Sequence, residues 1–361
     1  MKVSEICKYA PKSNIKARDA CDGGKYVFFT SSADESKRYN AYQHEGEGII
    51  MGTGGNATLH YYDGKYAVST DCIVLLPNEQ IRCKYLYYFF LGNMRVLERG
   101  FKGAGLKHTN KGYIGDIDIG DIPSFERQEK IIGIFDTLQS IIDLRKSEIE
   151  RLDNLIKARF VEMFGSPVSN PMSWEKRTLK EVCIKLNDGS HFSPESFETG
   201  DYKYVTAKNI KFSGFDFSNI TYVPEAVHRP IFDRCNPEFE DVLYIKDGAT
   251  TGVAIVNTLD EEFTLLSSVA LLKQDRSIMN GYFLATLLNN KDMYLNIRNN
   301  MGGAAITRLT IAKLNAIEII VPPIELQNQF AAFVAEVDKS KLMFQKLHQK
   351  LNILQQKAGD I

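Results

Sequence analysis

The sequence predicts an α+β fold in which two mixed α/β globular domains form a tandem repeat, separated by two long helices that pair as an antiparallel coiled coil. The first observation is a phrase that occurs twice with the same internal spacing, at residues 3–7 and 24–30 and again at 179–183 and 200–206. The other two are the proline and Glu-x-Gln that end each copy, and the heptad-patterned run that follows each ending. A repeat of this length indicates one folded module that is present twice.

The repeat sets the domain boundaries. We place the first domain at residues 1–122, the first spacer helix at 123–165, the second domain at 166–322 and the second spacer helix at 323–361. Strands are predicted where mostly apolar residues form short runs between Gly- and Asn-rich turns. These runs lie at 26–30, 48–51, 71–76, 241–245 and 268–272, and a helix follows in each domain, at 84–99 and 281–288.

Both spacer helices carry heptad stripes of mostly apolar residues, sustained for about four heptads each. The seam residues are Phe135, Leu138, Ile142, Ile149, Leu152 and Ile156 in the first helix, and Phe330, Phe333, Val337, Phe344, Leu347, Leu351 and Leu354 in the second. A single stripe is equally consistent with a helix that packs on a globular domain, but two matched stripes favour pairing with each other. Since the chain returns through the second domain between them, we expect an antiparallel pair.

The bulk composition is that of a soluble globular protein, because 44% of the 361 residues are hydrophobic and 25% are charged. No apolar run approaches the roughly 20 residues that span a bilayer, and no signal-peptide core is present, so we expect a cytoplasmic protein. The six cysteines are scattered and are expected to stay reduced. A net charge of −1 gives no bulk signal for nucleic acid, so any DNA-binding face must be a local cluster of positive charge.

A search for catalytic motifs finds none. The chain has no P-loop, no His-Glu-x-x-His metal motif and no Gly-x-Ser-x-Gly nucleophile elbow, and its histidines are dispersed, so no metal site is predicted. The string Asn236-Pro237-Glu238-Phe239 departs from the motif of an amine methyltransferase at its third position. The pattern favours binding over catalysis. A standalone DNA methyltransferase or nuclease with recognition domains, or a scaffold of two protein-binding modules, stays open as an alternative.

Several features together resemble the DNA-specificity (S) subunit of type I restriction–modification systems. They are the Trp174-centred entrance at 171–182, the Gly-rich loop at 302–306, the ending at 319–327 that leads into the second helix, the matching ending at 121–128 and the helix end at 155–165. The resemblance covers nearly the whole chain. The first domain departs from it because no tryptophan entrance precedes it, and the repeat spacing grows from 176 residues at Val3 and Leu179 to 199 at Pro123 and Pro322.

The resemblance implies a protein without catalytic activity. Each domain would be a target-recognition domain that reads one half of a bipartite sequence in double-stranded DNA, and the coiled coil would set the gap between the halves. Methyltransferase subunits would dock on the helices and bring S-adenosylmethionine. A restriction and translocase subunit, with its ATP and Mg²⁺, could join that complex, so no cofactor is expected on this chain.

Candidate DNA contacts lie in two kinds of segment. The Gly-rich loops contribute Lys107, His108 and Thr109 in the first domain, and Thr307 and Arg308 in the second; the strand region at 202–209 contributes Lys203, Thr206, Lys208 and Asn209. Glycines in the loops would let the backbone approach phosphates. Asn209 has the donor and acceptor pair that reads adenine, and lysine suits guanine or phosphate.

Overall fold

The computed structural model describes residues 1–299, 301 and 308–358, with the side chains of the last helix described up to residue 344. The chain divides into two compact units. Unit 1 comprises Met1–Glu148 and Met343–Ile361, and unit 2 comprises Ile149–Leu342. Each unit therefore combines a globular part with a portion of both long helices.

Unit 1 is built on one six-stranded sheet. Its elements are α1 (Val3–Ile6), β1 (Cys7–Tyr9), β2 (Tyr26–Phe29), β3 (Arg38–Tyr39), β4 (His44–Gly52), β5 (Leu59–Val68), β6 (Cys72–Pro77), α2 (Cys83–Gly92), α3 (Met94–Glu98), α4 (Lys111–Gly115) and the first part of α5 (Phe125–Phe164). The strand order is β1-β6-β4-β5-β2-β3, with β2 parallel to β5 and the other neighbours antiparallel. Apolar residues of the sheet and of α2 form one core, which includes the fully buried Ile49, Leu75, Leu86 and Phe90.

Unit 2 divides its strands among smaller sheets. Its elements after α5 are β7 (Lys176–Thr178), α6 (Leu179–Val182), β8 (Cys183–Asp188), β9 (Tyr202–Val205), β10 (Ile210–Lys211), β11 (Gly214–Phe215), β12 (Thr221–Val223), α7 (Glu225–Arg234), β13 (Val242–Ile245), β14 (Ala254–Val256), β15 (Thr264–Leu265), β16 (Val269–Gln274), α8 (Gly281–Asn289), α9 (Lys291–Asn299), α10 (Ile311–Asn315), β17 (Glu318–Ile320) and the first part of α11 (Ile324–Ala358). The sheets are β14-β13-β16-β8, β12-β9-β15, β10-β11 and β17-β7.

The two units share one topology, as the repeated phrases predict. Strands β8, β16, β13 and β14 pair in the order in which β1, β6, β4 and β5 pair in unit 1. The parallel pair of β9 and β15 corresponds to the parallel pair of β2 and β5. The single long strand β5 of unit 1 thus takes the places of both β14 and β15 in unit 2. Between β12 and β13 unit 2 inserts helix α7, where unit 1 has only residues 40–43. This insertion accounts for much of the longer repeat spacing.

The Glu-x-Gln endings have the same structural role in both units. The side-chain oxygen of Gln128 accepts a hydrogen bond from the N–H of Arg82 (2.8 Å), and its amide donates to the carbonyl of Pro123 (2.9 Å). Gln327 likewise accepts from the N–H of Asn280 (2.9 Å). Arg82 and Asn280 are the N-cap residues of α2 and α8, whose first N–H groups have no partner within their helix. Each glutamine therefore fixes the start of a long helix against the start of a short one.

Within unit 2 the long helices α5 and α11 run antiparallel. The rings of Phe160 and Phe330 are 5.6 Å apart, and nearer the start of α5 the ammonium of Lys341 lies 2.7 Å from a carboxylate oxygen of Asp153. An earlier residue of α5 thus pairs with a later residue of α11. The predicted fold class, including the antiparallel helix pair, is confirmed.

Within unit 1 the same helices meet at Arg145, whose guanidinium lies 4.9 Å from the ring centre of Phe344. The first turns of α5 pack differently from the prediction. Phe135, which we assign to the seam from the heptads, stacks on Tyr88 of α2 with ring centres 4.7 Å apart, and Ile132 is buried beside it. The start of α5 is therefore also a helix packed on a globular domain.

The predicted seam residues differ in how deeply they are buried. Phe135, Ile142, Phe330 and Val337 are buried, and Leu138, Ile149, Leu152, Ile156, Phe333 and Phe344 are partly buried. Leu347, Leu351 and Leu354 belong to the stretch of α11 whose side chains lie outside the described residues.

Helix α5 ends in the core of unit 2. Phe160 and Phe164 are fully buried and pack with Phe283. Gly165 follows with φ +73°, a conformation that suits glycine after a helix end, and the indole N–H of Trp174 donates to the carbonyl of Phe164 (3.0 Å). The tryptophan entrance is thus a cap on the end of α5.

All six cysteines are free, and burial raises the pKa of Cys7, Cys183 and Cys235 to about 12, so these thiols behave as small core hydrophobes. In the described part of the chain, no helix combines the length and apolar character of a membrane span.

Candidate nucleic-acid interface

Strand direction gathers polar residues at one edge of the four-stranded sheet in unit 2. Strands β8 and β13 are both antiparallel to β16, so they run in the same direction and finish at the same edge. Asp188 is the last residue of β8, and Lys246 directly follows β13. Residues that are 58 positions apart in the chain are thereby brought side by side.

A buried ion pair lies at this edge. The ammonium of Lys246 is 3.2 Å from a carboxylate oxygen of Asp188 and 3.1 Å from one of Asp247. Lys246 and Asp188 are almost completely buried. Desolvation of two charges consumes most of their mutual attraction, so a buried pair adds little net stability. We interpret the pair as a device that positions the segments that leave β8 and β13.

Three more basic groups surround the buried pair and reach the surface. His191 lies 3.0 Å from Asp188, and Arg234 is 3.7 Å from the same carboxylate and donates to the carbonyl of Gly189. Arg308 lies 3.2 Å from Asp247. The side chains of His191, Arg234 and Arg308 are 58%, 41% and 59% exposed. Arg234 and Arg308 thus place two guanidinium groups at the surface of this edge, and guanidinium groups are suited to binding phosphate.

Unit 1 has an equivalent edge with different residues. The N–H of Thr109 donates to the carbonyl of Thr53 (3.0 Å), just as the N–H of Leu309 donates to Lys246 (2.8 Å). An isolated bridge joins Gly54 to His108, just as another joins Asp247 to Arg308. His108 and Arg308 therefore occupy equivalent positions. Thr53 and Gly54 stand where unit 2 has Lys246 and Asp247, so unit 1 has no counterpart of the charged pair at these two described positions.

Comparison with models of protein families shows which family the chain belongs to. The model of the type I restriction modification DNA specificity domain matches residues 1–154 and 171–354. The chain belongs to this family. The two matched stretches each contain one globular part of the tandem repeat, and together they cover most of the chain.

Individual relatives of this specificity-domain protein are distant. The Type I restriction enzyme EcoDI specificity subunit of Escherichia coli is 24% identical over 157 residues, which cover 44% of this chain and 34% of that protein. This chain therefore matches about a third of the curated relative's length.

Solved structures share the fold. The S subunit of a type I restriction-modification system from M. genitalium has a TM-score of 0.59 and 15% identity, covering 99% of this chain and 94% of that one. A chain solved in a study of complex assembly and conformational transition of the type I R-M system has a TM-score of 0.51 and 17% identity, covering 100% and 96%. At these identities the likeness concerns the fold alone.

The Gly-rich loop of unit 1 carries exposed and buried residues in this family member. Lys107 and His108 are exposed, and the carbonyl of Lys107 accepts the N–H of Gly55 (2.9 Å). Thr109 is 9% exposed, and its hydroxyl is buried. We predicted Thr109 as a DNA contact, but its side chain points into the protein, so only Lys107 and His108 remain candidates in this loop. Thr307, the predicted contact in the loop of unit 2, lies outside the described residues.

The strand-region candidates are mostly engaged within unit 2. Asn209 is 3% exposed; its side-chain oxygen accepts from the N–H of Thr206 (3.0 Å), and its amide donates to the carbonyl of Asp216 (3.2 Å). The side chain that we predicted to read adenine is therefore buried and hydrogen-bonded within unit 2. The hydroxyl of Thr206 also binds Asn209 (3.1 Å). Lys203 is paired with Glu261 (2.5 Å), which leaves Lys208 as the exposed candidate of this set.

Sequence reasoning missed His191, Arg234 and Lys246. No sequence motif marks them; Lys246 comes beside Asp188 only through the register of β8, β13 and β16. No group of His, Cys, Asp and Glu within the described residues is arranged to hold a metal ion.

Proposed function

We propose that this chain is the DNA-specificity subunit of a type I restriction–modification complex, in which each unit reads one half of a bipartite sequence in double-stranded DNA. The observation that carries the proposal is the equivalence of His108 and Arg308. Both lie beside the loop that follows the central strand of their sheet, in a protein of the specificity-domain family. A repeated frame with different residues at the equivalent edge is what two readers of different half-sites require.

The proposal extends to partners and location. Methyltransferase subunits dock on the long helices and supply S-adenosylmethionine, and a restriction and translocase subunit with ATP and Mg²⁺ joins the same cytoplasmic assembly. The chain itself is non-catalytic and holds no cofactor. Support comes from the specificity-subunit relative and from the complexes in which the fold is found. Saturable binding of S-adenosylmethionine to the isolated chain would contradict this part of the proposal.

Charge reversal at the two equivalent loops tests DNA contact. Lys107→Glu and Arg308→Glu are each expected to weaken DNA binding by the assembled complex and to lower the salt dependence of binding by about one unit of slope for each lost phosphate contact. Fluorescence anisotropy across a salt series measures both quantities.

The matched control for these variants is Lys180→Glu, which reverses an exposed charge on α6, before the start of β8 and thus at the opposite end of that strand from Asp188. We expect wild-type affinity and slope from this variant. If the double variant at Lys107 and Arg308 also keeps both, these loops do not contact DNA.

The helices are proposed to set the gap between the half-sites. Helix α5 has 40 residues, so it is about 60 Å long at 1.5 Å per residue. One heptad inserted into both long helices adds about 10 Å, or about 3 base pairs. We expect the gap in the methylated sequence to grow by up to this amount while both half-site sequences stay the same. Single-molecule sequencing of modified DNA reads the result, and an unchanged gap would exclude the role of the helices as a spacer.

A further inference from the structure

A large aromatic side chain stands at the tip of the β10-β11 hairpin in unit 2. Phe212 is 63% exposed and occupies the turn between Lys211 and Gly214, where glycine adopts φ +111°. Turn positions of this kind usually carry small or polar residues. A phenylalanine there exposes apolar surface that folding alone does not require.

The base of the hairpin is held firmly. Asn209, before β10, binds Asp216, after β11, through two hydrogen bonds. The side-chain amide of Asn209 donates to the backbone carbonyl of Asp216, and the backbone carbonyl of Asn209 accepts the N–H of Asp216 (2.8 Å). Phe215 stacks on Phe217 with ring centres 5.2 Å apart and meets the ring of Phe263 edge-on. The tip therefore projects from a fixed support, which also explains why Asn209 is buried.

A second aromatic residue connects the tip to the charged edge. The ring centre of Phe212 is 5.9 Å from that of Tyr294 on α9, and Arg298 donates to the hydroxyl of Tyr294 (3.2 Å). Arg298 also donates to the carbonyl of Thr251 (2.7 Å), in the loop that follows Lys246. A Cβ at Gly252 would lie 2.6 Å from the Tyr294 ring, so glycine is needed for this packing. Phe212 thus belongs to the same end of β13 as Arg308.

Two lysines lie close to the tip in the chain. Lys208 and Lys211 are both exposed. The nearby acid, Asp216, accepts hydrogen bonds from the N–H (3.0 Å) and hydroxyl (2.7 Å) of Ser218, which hold its pKa below the usual range, with Lys211 as a smaller contribution. One exposed apolar ring therefore follows two exposed lysines within a few residues of the chain.

We propose that Phe212 enters the major groove of the half-site read by unit 2 and packs against base edges there, with Lys208 and Lys211 on the flanking phosphates. This inference rests on the proposed function. The major groove accommodates a two-stranded ribbon, and phenylalanine recognises the apolar 5-methyl group of thymine there. Phe212 is then a specificity-determining residue, and Tyr294 is a positioning residue that supports its ring.

Selection from a random-sequence duplex library tests the inference, because the selection itself identifies the target sequence. The probe is the full chain assembled with methyltransferase subunits, and the wild type is expected to enrich a bipartite sequence. Phe212→Ala should lose preference at one or two adjacent positions of one half only, while the other half serves as an internal standard. Its affinity for the selected duplex should fall about 5- to 100-fold. Its affinity for unrelated DNA and its salt slope should stay the same, because no charge is removed.

A second arm of the experiment replaces thymine by uracil, which differs from thymine only by the absence of the 5-methyl group. At the affected position, replacement of thymine by uracil should weaken binding by the wild type and leave Phe212→Ala unaffected. Phe239→Ala is the matched control: Phe239 is 44% exposed but precedes β13, at the opposite end of that strand. It should select the wild-type sequence.

Two results would overturn the inference. One is an unchanged selected sequence and affinity for Phe212→Ala; the other is an equal loss of preference in both halves, which would indicate a global defect. Since Phe212 is exposed, its variant should keep the wild-type unfolding temperature, and this measurement separates misfolding from lost contact. If the wild type enriches no bipartite sequence, the proposed function itself is wrong and the inference falls with it.

Discussion

Replacement of Lys246 by methionine is expected to destabilise unit 2 by about 3 kcal/mol, because it removes the cation buried against Asp188. The loss stays at the low end of the range for a broken buried pair, because Arg234 still lies beside Asp188 and Arg308 beside Asp247. In a unit of this size the loss corresponds to a fall in melting temperature of roughly 10 °C. Differential scanning calorimetry would show it as a shift of the transition of unit 2, with the transition of unit 1 unchanged.

Two companion variants identify the cause. Lys180→Met removes an exposed lysine before β8, and surface changes of this kind usually stay within about 0.5 kcal/mol. The double variant Lys246→Met with Asp188→Leu replaces the buried pair by apolar groups and should recover most of the lost stability. A double variant that is less stable than Lys246→Met alone would show that the buried carboxylate left without Lys246 is not the source of the loss.

Replacement of Phe160 by alanine is expected to cost about 3–5 kcal/mol, since it opens a cavity in a packed aromatic cluster. The ring of Phe160 is 1% exposed and lies 5.5 Å from the ring of Phe283 and 5.6 Å from that of Phe330. The loss should loosen the contact of α5 with α11 in unit 2, so faster hydrogen exchange in α11 should accompany the lower melting temperature.

The neighbouring position provides the control for this prediction. Val161 is 49% exposed on the other side of α5, and Val161→Ala should change the free energy of unfolding by no more than about 0.5 kcal/mol. Equal losses from the two variants would mean that the aromatic cluster does not control the stability of this segment, since alanine is the better helix former at both positions.

Much of the frame is predictable because its signals are local. The mostly apolar run at residues 268–272 becomes β16, and the apolar pattern at 281–288 becomes α8, within one or two residues at each end. The heptads predict both long helices for the same reason. The repeat adds a check that single patterns lack, since each element of unit 1 supports its counterpart in unit 2.

The candidate site is less predictable. A lysine, an asparagine and a threonine look alike in a sequence whether they face solvent or not. Lys203 and Asn209 look like DNA contacts but bind Glu261 and Asp216, because the fold places those partners beside them. Phe212 is the reverse case. In the sequence it looks like a residue of the core, and only the hairpin in the structure places it at the surface.

The sequence by itself determined the duplicated frame, the paired helices and the family resemblance, since these depend on periodicity and on turn residues that act over a few positions. Only the tertiary structure decided where charge gathers. Lys246 meets Asp188 because β8 and β13 run in the same direction beside β16 and finish at one edge. That register is the sum of many weak contacts between distant segments, and no short stretch of sequence contains it.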